Sequence, residues 1–400
     1  MKKEKTFIIG HKNPDTDSIC SAIAYADIKS RTSKGSFVAR RAGQINEETE
    51  FVLKYFHMDA PAYLPDVGTQ VKDMDIHMTP GAEKSMSVKR AWNLMREHNA
   101  VTLPITDKEG MLEGIITTGD IATSYMDAYD STLLSEARTQ YRSIADTLDG
   151  QVLVGNEHGY FIKGKVLVGS AHPDMMESYI ESDDMVILAN RAEDQLCAIE
   201  NNASCLIICL GAKVSQTIQR LAAERECVII TTPYDTFTVA RLIYQSIPVK
   251  YFMKKDNLIT FRSDDFTDKV KEVMTKNRYR AFPVVDKRGK YIGTVSRRNL
   301  LNIKKKKLIL VDHNEKSQAV DNIDEAEILE IIDHHRIGSL ETFQPVMFRN
   351  QPVGCTATIM YQIYGENYLD IPRNIAGLLC AAILSDTLMF RSPTCTEKDK

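Results

Sequence analysis

A short apolar run, Phe7-Ile8-Ile9, leads straight into Gly10-His11-Lys12-Asn13-Pro14-Asp15-Thr16-Asp17, and this junction constrains the fold more than any other stretch. Three consecutive apolar residues followed by a break read as a buried strand. Gly10 and Asn13-Pro14 make the next residues a turn. From Ser18 onward Ile19, Ala22, Ile23 and Ala26 recur at helical spacing, which predicts a helix with one buried face from about Asp17. His11, Asp15 and Asp17 therefore share a strand-to-helix loop at the carboxyl end of a strand, where open α/β sheets bind ligands. An imidazole beside two carboxylates suits Mn, Co, Fe or Zn, whereas Mg and Ca favour oxygen donors alone. The same residues also admit a structural reading, with Asp17 capping the helix, Asp15 making a turn and His11 in solvent.

At 400 residues the chain predicts two to four domains. About a quarter of it is charged and its net charge is −4. It has no basic excess for a nucleic-acid backbone, so no nucleic-acid partner is expected. Apolar runs fall short of a membrane span, and Met1-Lys2-Lys3-Glu4-Lys5 precedes only three apolar residues, which is not a signal peptide. The eight cysteines are scattered without a C-x-x-C pair, and Cys205, Cys209 and Cys380 lie in apolar runs. Free buried thiols in a reducing, cytoplasmic setting are expected, without structural zinc.

Glu47 to His57 reads as a second helix after a strand at Phe37-Val38-Ala39, and Pro61 and Pro65 then mark a break. From about Val67 to Asp127 the pattern predicts strand, helix, strand, strand, helix. The same plan returns from about Val249 to Ile303. Leu103-Pro104-Ile105-Thr106-Asp107 matches Phe282-Pro283-Val284-Val285-Asp286, and Gly114 to Asp120 matches Gly293 to Asn299, an internal repeat. These two segments resemble CBS domains, which pair and commonly bind adenine nucleotides. The resemblance assigns Thr117 and Asp120, and Ser296 and Asn299, to nucleotide binding, as helix-start amides hold phosphate and Asp or Asn holds ribose. Arg278, Tyr279, Arg280 and Arg297 add cations and an aromatic face. The alternative is a structural spacer whose Thr and Ser merely cap helices.

Between the repeats, Val152 to Gly155, Met185 to Leu188, Leu206 to Ile208 and Val228 to Ile230 read as buried strands. With Asp235-Thr236-Phe237-Thr238 opening a helix, this part resembles the DRTGG domain and is read as a dimerisation or spacer module. Lys304 to Lys307 is taken as a solvated boundary.

Downstream, Leu308 to Val311 ends on Asp312-His313-Asn314-Glu315, and Ile328 to Ile332 ends on Asp333-His334-His335. Ile375 to Leu384 ends on Ser385-Asp386-Thr387. In a parallel sheet such ends converge, and with the opening loop they offer enough ligands for two metals. The set Gly-His-x-x-Pro-Asp-x-Asp, Val-Asp-His-Asn-Glu, Asp-His-His and Ser385 to Thr394 resembles the DHH phosphoesterases, and within them the family II inorganic pyrophosphatases with a regulatory CBS insert.

That resemblance implies an α/β protein in which a parallel-sheet DHH domain is interrupted by a tandem CBS pair flanking a DRTGG domain. Its parts would be residues 1–66 and 305–400 (DHH), 67–127 and 247–304 (CBS) and 128–246 (DRTGG). His11, Asp15, Asp312 and Asp386 would hold one Mn²⁺ or Co²⁺, and Asp17, His334, Asp312 and Asp386 the other, with Mg²⁺ accompanying substrate. His335 would donate to phosphate, oriented by Asp333. The implied reaction is hydrolysis of pyrophosphate by a two-metal-activated water, regulated by AMP, ADP, ATP or diadenosine polyphosphates in a homodimer. Alternatives are an exopolyphosphatase, an oligonucleotide exonuclease or a non-catalytic nucleotide sensor. Family members continue into a C-terminal DHHA2 lobe that grips phosphate; the chain stops at Lys400, so weak activity of this chain alone is expected.

Overall fold

The computed structural model describes residues 5–126 and 130–400. Asp127, the predicted end of the first repeat, lies outside them. The chain folds into two compact units. One contains the segment up to Asp75, with Asp264–Glu272 and Leu300–Lys400, and the other contains Ile76–Ser263 and Val273–Asn299.

The first unit is built on β1 (Lys5–Ile9), α1 (Thr16–Thr32), β2 (Ser36–Arg41), α2 (Glu47–Tyr55) and β3 (Ala62–Tyr63), and resumes after the insert. There it adds β4 (Lys307–Val311), β5 (Glu327–Asp333), β6 (Met347–Asn350), α3 (Thr356–Glu366) and α4 (Arg373–Asp386). The six strands lie in the order β6-β5-β4-β1-β2-β3, every neighbouring pair parallel. Strands of such a sheet are buried on both faces, which is why β1 and β4 read as unbroken apolar runs. Alternate residues serve opposite faces. Ile8, Ile309, Val311 and Ile332 pack under α1, α3 and α4, whereas Ile9, Leu308 and Leu310 pack against Val67, Val320 and Ile323. Each fully buried side chain of this size contributes about 1.5–3 kcal/mol.

Small residues on α1 (Ser18, Ser21, Ala22, Ala24) are buried and let α3 and α4 pack closely against it. The helix starts at Thr16, with Asp15 as its N-cap accepting from the Ser18 amide at 2.9 Å; the predicted start at Asp17 is one residue late. The helix predicted to reach His57 stops at Tyr55, because His57 turns left-handed at φ +55°.

In the second unit, Met185–Leu188, Cys205–Ile208 and Val228–Thr231 form the centre of a five-stranded sheet. Val166–Val168 adds a parallel edge and Gln151–Val154 an antiparallel one. The repeats share one turn in detail. Gly110 and Gly289 both sit at φ +84°, and Asp107 and Asp286 accept from the amides of Met111 and Lys290 at 2.7 and 2.9 Å. The strand predicted to open the first repeat near Val67 does not form. That stretch holds a 3₁₀ turn, Val71–Asp73, and single bridges such as Ala82 to Ile105. Pro80 lacks the amide a longer ladder needs. The second repeat closes on a 3₁₀ segment, Arg297–Asn302, rather than an α-helix.

Candidate active site

Strand order makes the site. The chain runs outward from β1 to β2 and β3, then returns to build β4, β5 and β6 on the other side of β1. The order reverses between β1 and β4, the switch point at which ligands bind outside the carboxyl ends of an open sheet. His11, Asp15 and Asp17 follow β1, Asp312 follows β4, and Asp333 ends β5 just before His334 and His335. Asp386 ends α4, not a strand as its position after an apolar run suggested.

Gly10 lets the opening loop fold down on α1, since a Cβ there would lie 1.8 Å from Ser18 Oγ. His11 Nε2 is 3.5 Å from Asp15 Oδ2 and 3.3 Å from Asp312 Oδ2. The other Asp312 oxygen, Oδ1, is 3.5 Å from His334 Nε2. Asp312 is 1% exposed and adopts left-handed backbone at φ +62°, a conformation Asp tolerates better than most residues. His334 Nδ1 lies 3.1 Å from the Val353 carbonyl, which can only accept, so Nδ1 carries a proton and Nε2 is the nitrogen turned toward the carboxylates. That nitrogen is 3.6 Å from Asp386 Oδ2. Asp17 accepts from the Thr356 and Ala357 amides at 2.6 and 2.8 Å and from Ser21 Oγ at 2.9 Å. Asp333 accepts from the His334 amide at 2.8 Å, from Asn314 Nδ2, and from His335 Nδ1 at 2.8 Å.

The structure thus brings all eight residues together: His11, Asp15, Asp17, Asp312, Asp333, His334, His335 and Asp386. Three triads have ligand atoms within 4.8 Å of one another: His11–Asp15–Asp312, Asp312–His334–His335 and Asp17–Cys355–Asp386.

The charges show what the cluster lacks. Burial, then the nearby Asp312 and Asp386 carboxylates, push the Asp17 pKa well above its usual value. Burial, then Asp312 and Asp15, raise Asp386 to about 7. Burial opposes charge on His11, but Asp15 and Asp312 outweigh it and lift its pKa to about 10. His334 is lifted to about 9 in the same way, with burial opposed by Asp312 and Asp17. Crowded carboxylates that draw protons onto themselves and onto neighbouring imidazoles are short of positive charge. Asp312 Oδ2 and His334 Nε2 are also buried without a hydrogen-bond partner among the described residues, which calls for a ligand. Imidazole and carboxylate donors and an excess of negative charge fit divalent cations.

Several contributing residues escaped the motif reading. Thr356 Oγ1 donates to Asp312 Oδ1 at 3.0 Å. Glu48 accepts from Thr16 Oγ1 at 2.8 Å and from Ser385 Oγ. Lys12, with His11, Asn13, Ser317, Gln318 and His335, lines a cavity of about 240 Å³ beside the cluster. Their partners lie far along the chain, so no local pattern marked them.

In the second unit, Thr117 donates to Asp120 from Oγ1 at 2.6 Å and from its amide at 2.8 Å. Ser296 donates to Asn299 Oδ1 in the same two ways, both at 2.7 Å. Each signature pair closes on itself as a cap. Lys254 links the repeats: its Nζ is 3.3 Å from Asp120 Oδ1 and 5.7 Å from the centre of the Tyr279 ring. Arg297 donates to the Tyr279 carbonyl at 3.0 Å and to those of Met274 and Asn277. Its guanidinium therefore holds the chain behind Tyr279 in this structure, while Arg278 and Arg280 are exposed. Lys254, which no motif marked, is the cation at the ring.

A parallel sheet interrupted at mid-chain, with histidines and carboxylates gathered at its switch point, is the arrangement that the resemblance to the DHH phosphoesterases implies. The CBS domain model matches residues 74–127 and 249–306, and the DRTGG domain model residues 143–246. The chain is 42% identical over 397 residues to the cobalt-dependent inorganic pyrophosphatase of Clostridium perfringens, covering 99% of this chain and 72% of that one. It is 36% identical over 398 residues to a probable manganese-dependent inorganic pyrophosphatase of Thermotoga maritima, with the same coverage. The crystal structure of the CBS and DRTGG domains of the regulatory region of Clostridium perfringens pyrophosphatase, complexed with the activator diadenosine tetraphosphate, covers 57% of this chain and 99% of that one. It matches at a TM-score of 0.54 and 36% identity. The chain belongs to the family of manganese- or cobalt-dependent inorganic pyrophosphatases.

Proposed function

We propose that this chain hydrolyses inorganic pyrophosphate at the β1–β4 switch point, under control of adenine nucleotides bound between its repeats. One observation carries the catalytic reading: the two oxygens of buried Asp312 face different histidines, Oδ2 toward His11 and Oδ1 toward His334. A carboxylate so placed could serve as a ligand to two cations. His11, Asp15, Asp312 and Asp386 would hold the first, and Asp17, His334, Asp312 and Asp386 the second, with Mn²⁺ or Co²⁺ as the resident ions and Mg²⁺ arriving with substrate. When bound, such a pair lowers the pKa of water and neutralises phosphate charge.

The protein's own groups do the rest. Asp333 raises the pKa of His335 by hydrogen bonding, against burial. The shift favours the imidazolium, whose Nε2–H can donate to a phosphate oxygen. His335 is half-exposed at the mouth of the small polar cavity, and Lys12 adds a cation on the same side. Phosphate release from pyrophosphate, polyphosphate and a dinucleotide, with Mn²⁺ or Co²⁺ supplied, tests this; preference for either of the other substrates refutes it.

For regulation, Tyr279 offers the adenine a face, Lys254, Arg278 and Arg280 meet phosphates, and Thr117, Asp120, Ser296 and Asn299 frame the cleft. The match to a regulatory region that binds diadenosine tetraphosphate supports this. The protein assembles as a homodimer through the insert. Trp92, Tyr125 and Met126 are exposed there, the first two lining an apolar cleft of about 320 Å³, and apolar patches of this kind mark association surfaces. A monomeric mass by sedimentation velocity would refute the dimer. Among the described residues no helix is long and apolar enough to cross a membrane. All eight cysteines are free thiols, which supports a cytoplasmic setting.

A further inference from the structure

We infer that Thr356 is a positioning residue that sets the affinity of both cation sites. The inference rests on the two-cation reading above, and extends it to a residue that touches neither ion. Thr356 is fully buried in the first turn of α3, directly after the N-cap residue Cys355. Its hydroxyl lies 3.0 Å from Asp312 Oδ1, and its amide lies 2.6 Å from Asp17 Oδ2. The next amide, Ala357, takes Asp17 Oδ1 at 2.8 Å. One residue therefore grips a carboxylate that belongs to the second site and the carboxylate that joins the two.

The hold on Asp312 matters more, because little else fixes it. Its Oδ2 has no hydrogen-bond partner among the described residues, and its neighbours His11 and His334 keep their Nε2 atoms for the cations. The Thr356 hydroxyl is what sets the rotation of the carboxylate, so that one oxygen faces each histidine. The grip is rigid, since the hydroxyl sits on a helix whose first turn is locked against Asp17. Groups that orient ligands in this way typically govern metal affinity by ten- to a hundredfold.

Thr358 provides a matched control two residues along. It is equally buried, and its hydroxyl donates to Asp399 Oδ1 at 2.6 Å, away from the proposed ligands. Metal-free protein is titrated with Mn²⁺, the free ion being read by electron paramagnetic resonance, in wild type, Thr356→Val, Thr356→Ser and Thr358→Val. Thr356→Val is expected to weaken both ions by about ten- to a hundredfold, with Thr356→Ser restoring them to within about threefold of wild type. Thr358→Val is expected to lower the melting temperature and leave Mn²⁺ affinity unchanged. Wild-type affinity in Thr356→Val, or an equal loss in Thr358→Val, overturns the positioning role. A wild-type protein that binds fewer than two ions overturns the two-cation reading itself, before any variant is compared.

Discussion

Replacing Asp312 with asparagine leaves a residue that still tolerates left-handed backbone and removes the charge that faces both histidines. A shared ligand makes a particular demand: both ions must go, because without it two dications face each other across one screening carboxylate fewer. Binding one ion at a hundred times its Kd stabilises the folded protein by about 2.7 kcal/mol, so two contribute about 5.4 kcal/mol. For a unit of roughly 185 residues, each kcal/mol moves the melting temperature by about 2–4 °C, so saturating Mn²⁺ should raise it by about 10–20 °C. His11→Gln and His334→Gln each disable one site, and should keep about half of that rise. Asp312→Asn should lose essentially all of it. Differential scanning calorimetry with and without Mn²⁺, beside elemental analysis of the dialysed proteins, gives both readouts. One ion retained at full occupancy in Asp312→Asn, with half the thermal response, would show that Asp312 serves a single site and that the bridging argument is wrong.

Three further outcomes are expected. Tyr279→Ala should weaken AMP binding in calorimetry by about 1–3 kcal/mol, the usual worth of a base stacked on an aromatic ring, and unchanged affinity would remove Tyr279 from the cleft. Asp333→Asn should lower the titration midpoint of His335, followed by histidine NMR in metal-free protein, since the Asp333 hydrogen bond is the leading cause that raises it against burial; a fixed midpoint would rule out Asp333 as its partner. Gly110→Ala should destabilise the second unit by about 1–2 kcal/mol in urea through backbone strain alone, because φ is +84° and no atom lies within 4 Å of the added Cβ. A smaller loss would mean the turn relaxes out of the left-handed region.

The strand ends of the site were legible because strands covered on both faces leave no polar alternation to confuse them. Phe7 to Ile9 and Leu308 to Val311 announce themselves, and the acids and histidines follow at once. What the residues do not display is that β4 inserts beside β1 in register, Ile8 against Ile309. The convergence of His11 on Asp312 depends on that pairing. Asp386 follows an apolar run whose element type the sequence left open, because a buried apolar run does not reveal whether it is helix or strand. Thr356 was invisible for a different reason. Its partners Asp17 and Asp312 are more than forty residues away in sequence, and no local spacing encodes a helix end meeting another helix. Lys254 likewise gains its meaning only from Tyr279 and Asp120 across the repeat.

The break in the chain falls at the topological switch itself. β3 ends at Tyr63 and β4 begins at Lys307, so the connection that returns to the middle of the sheet carries the whole insert. An ordinary crossover needs about a dozen residues; stretching it to roughly 240 flexible residues would cost about 3 kcal/mol of closure entropy, because that cost grows only with the logarithm of length. A folded insert with its ends held costs less, and the fully buried sheet core repays it. The proposed ligand set is divided by the same break: His11, Asp15 and Asp17 come before the insert, and Asp312, His334 and Asp386 after it. Neither half carries the whole proposed ligand set of either cation. On the two-cation reading proposed above, the metal centre would form only when β1 and β4 pair, and any event that loosens that pairing would weaken both sites together.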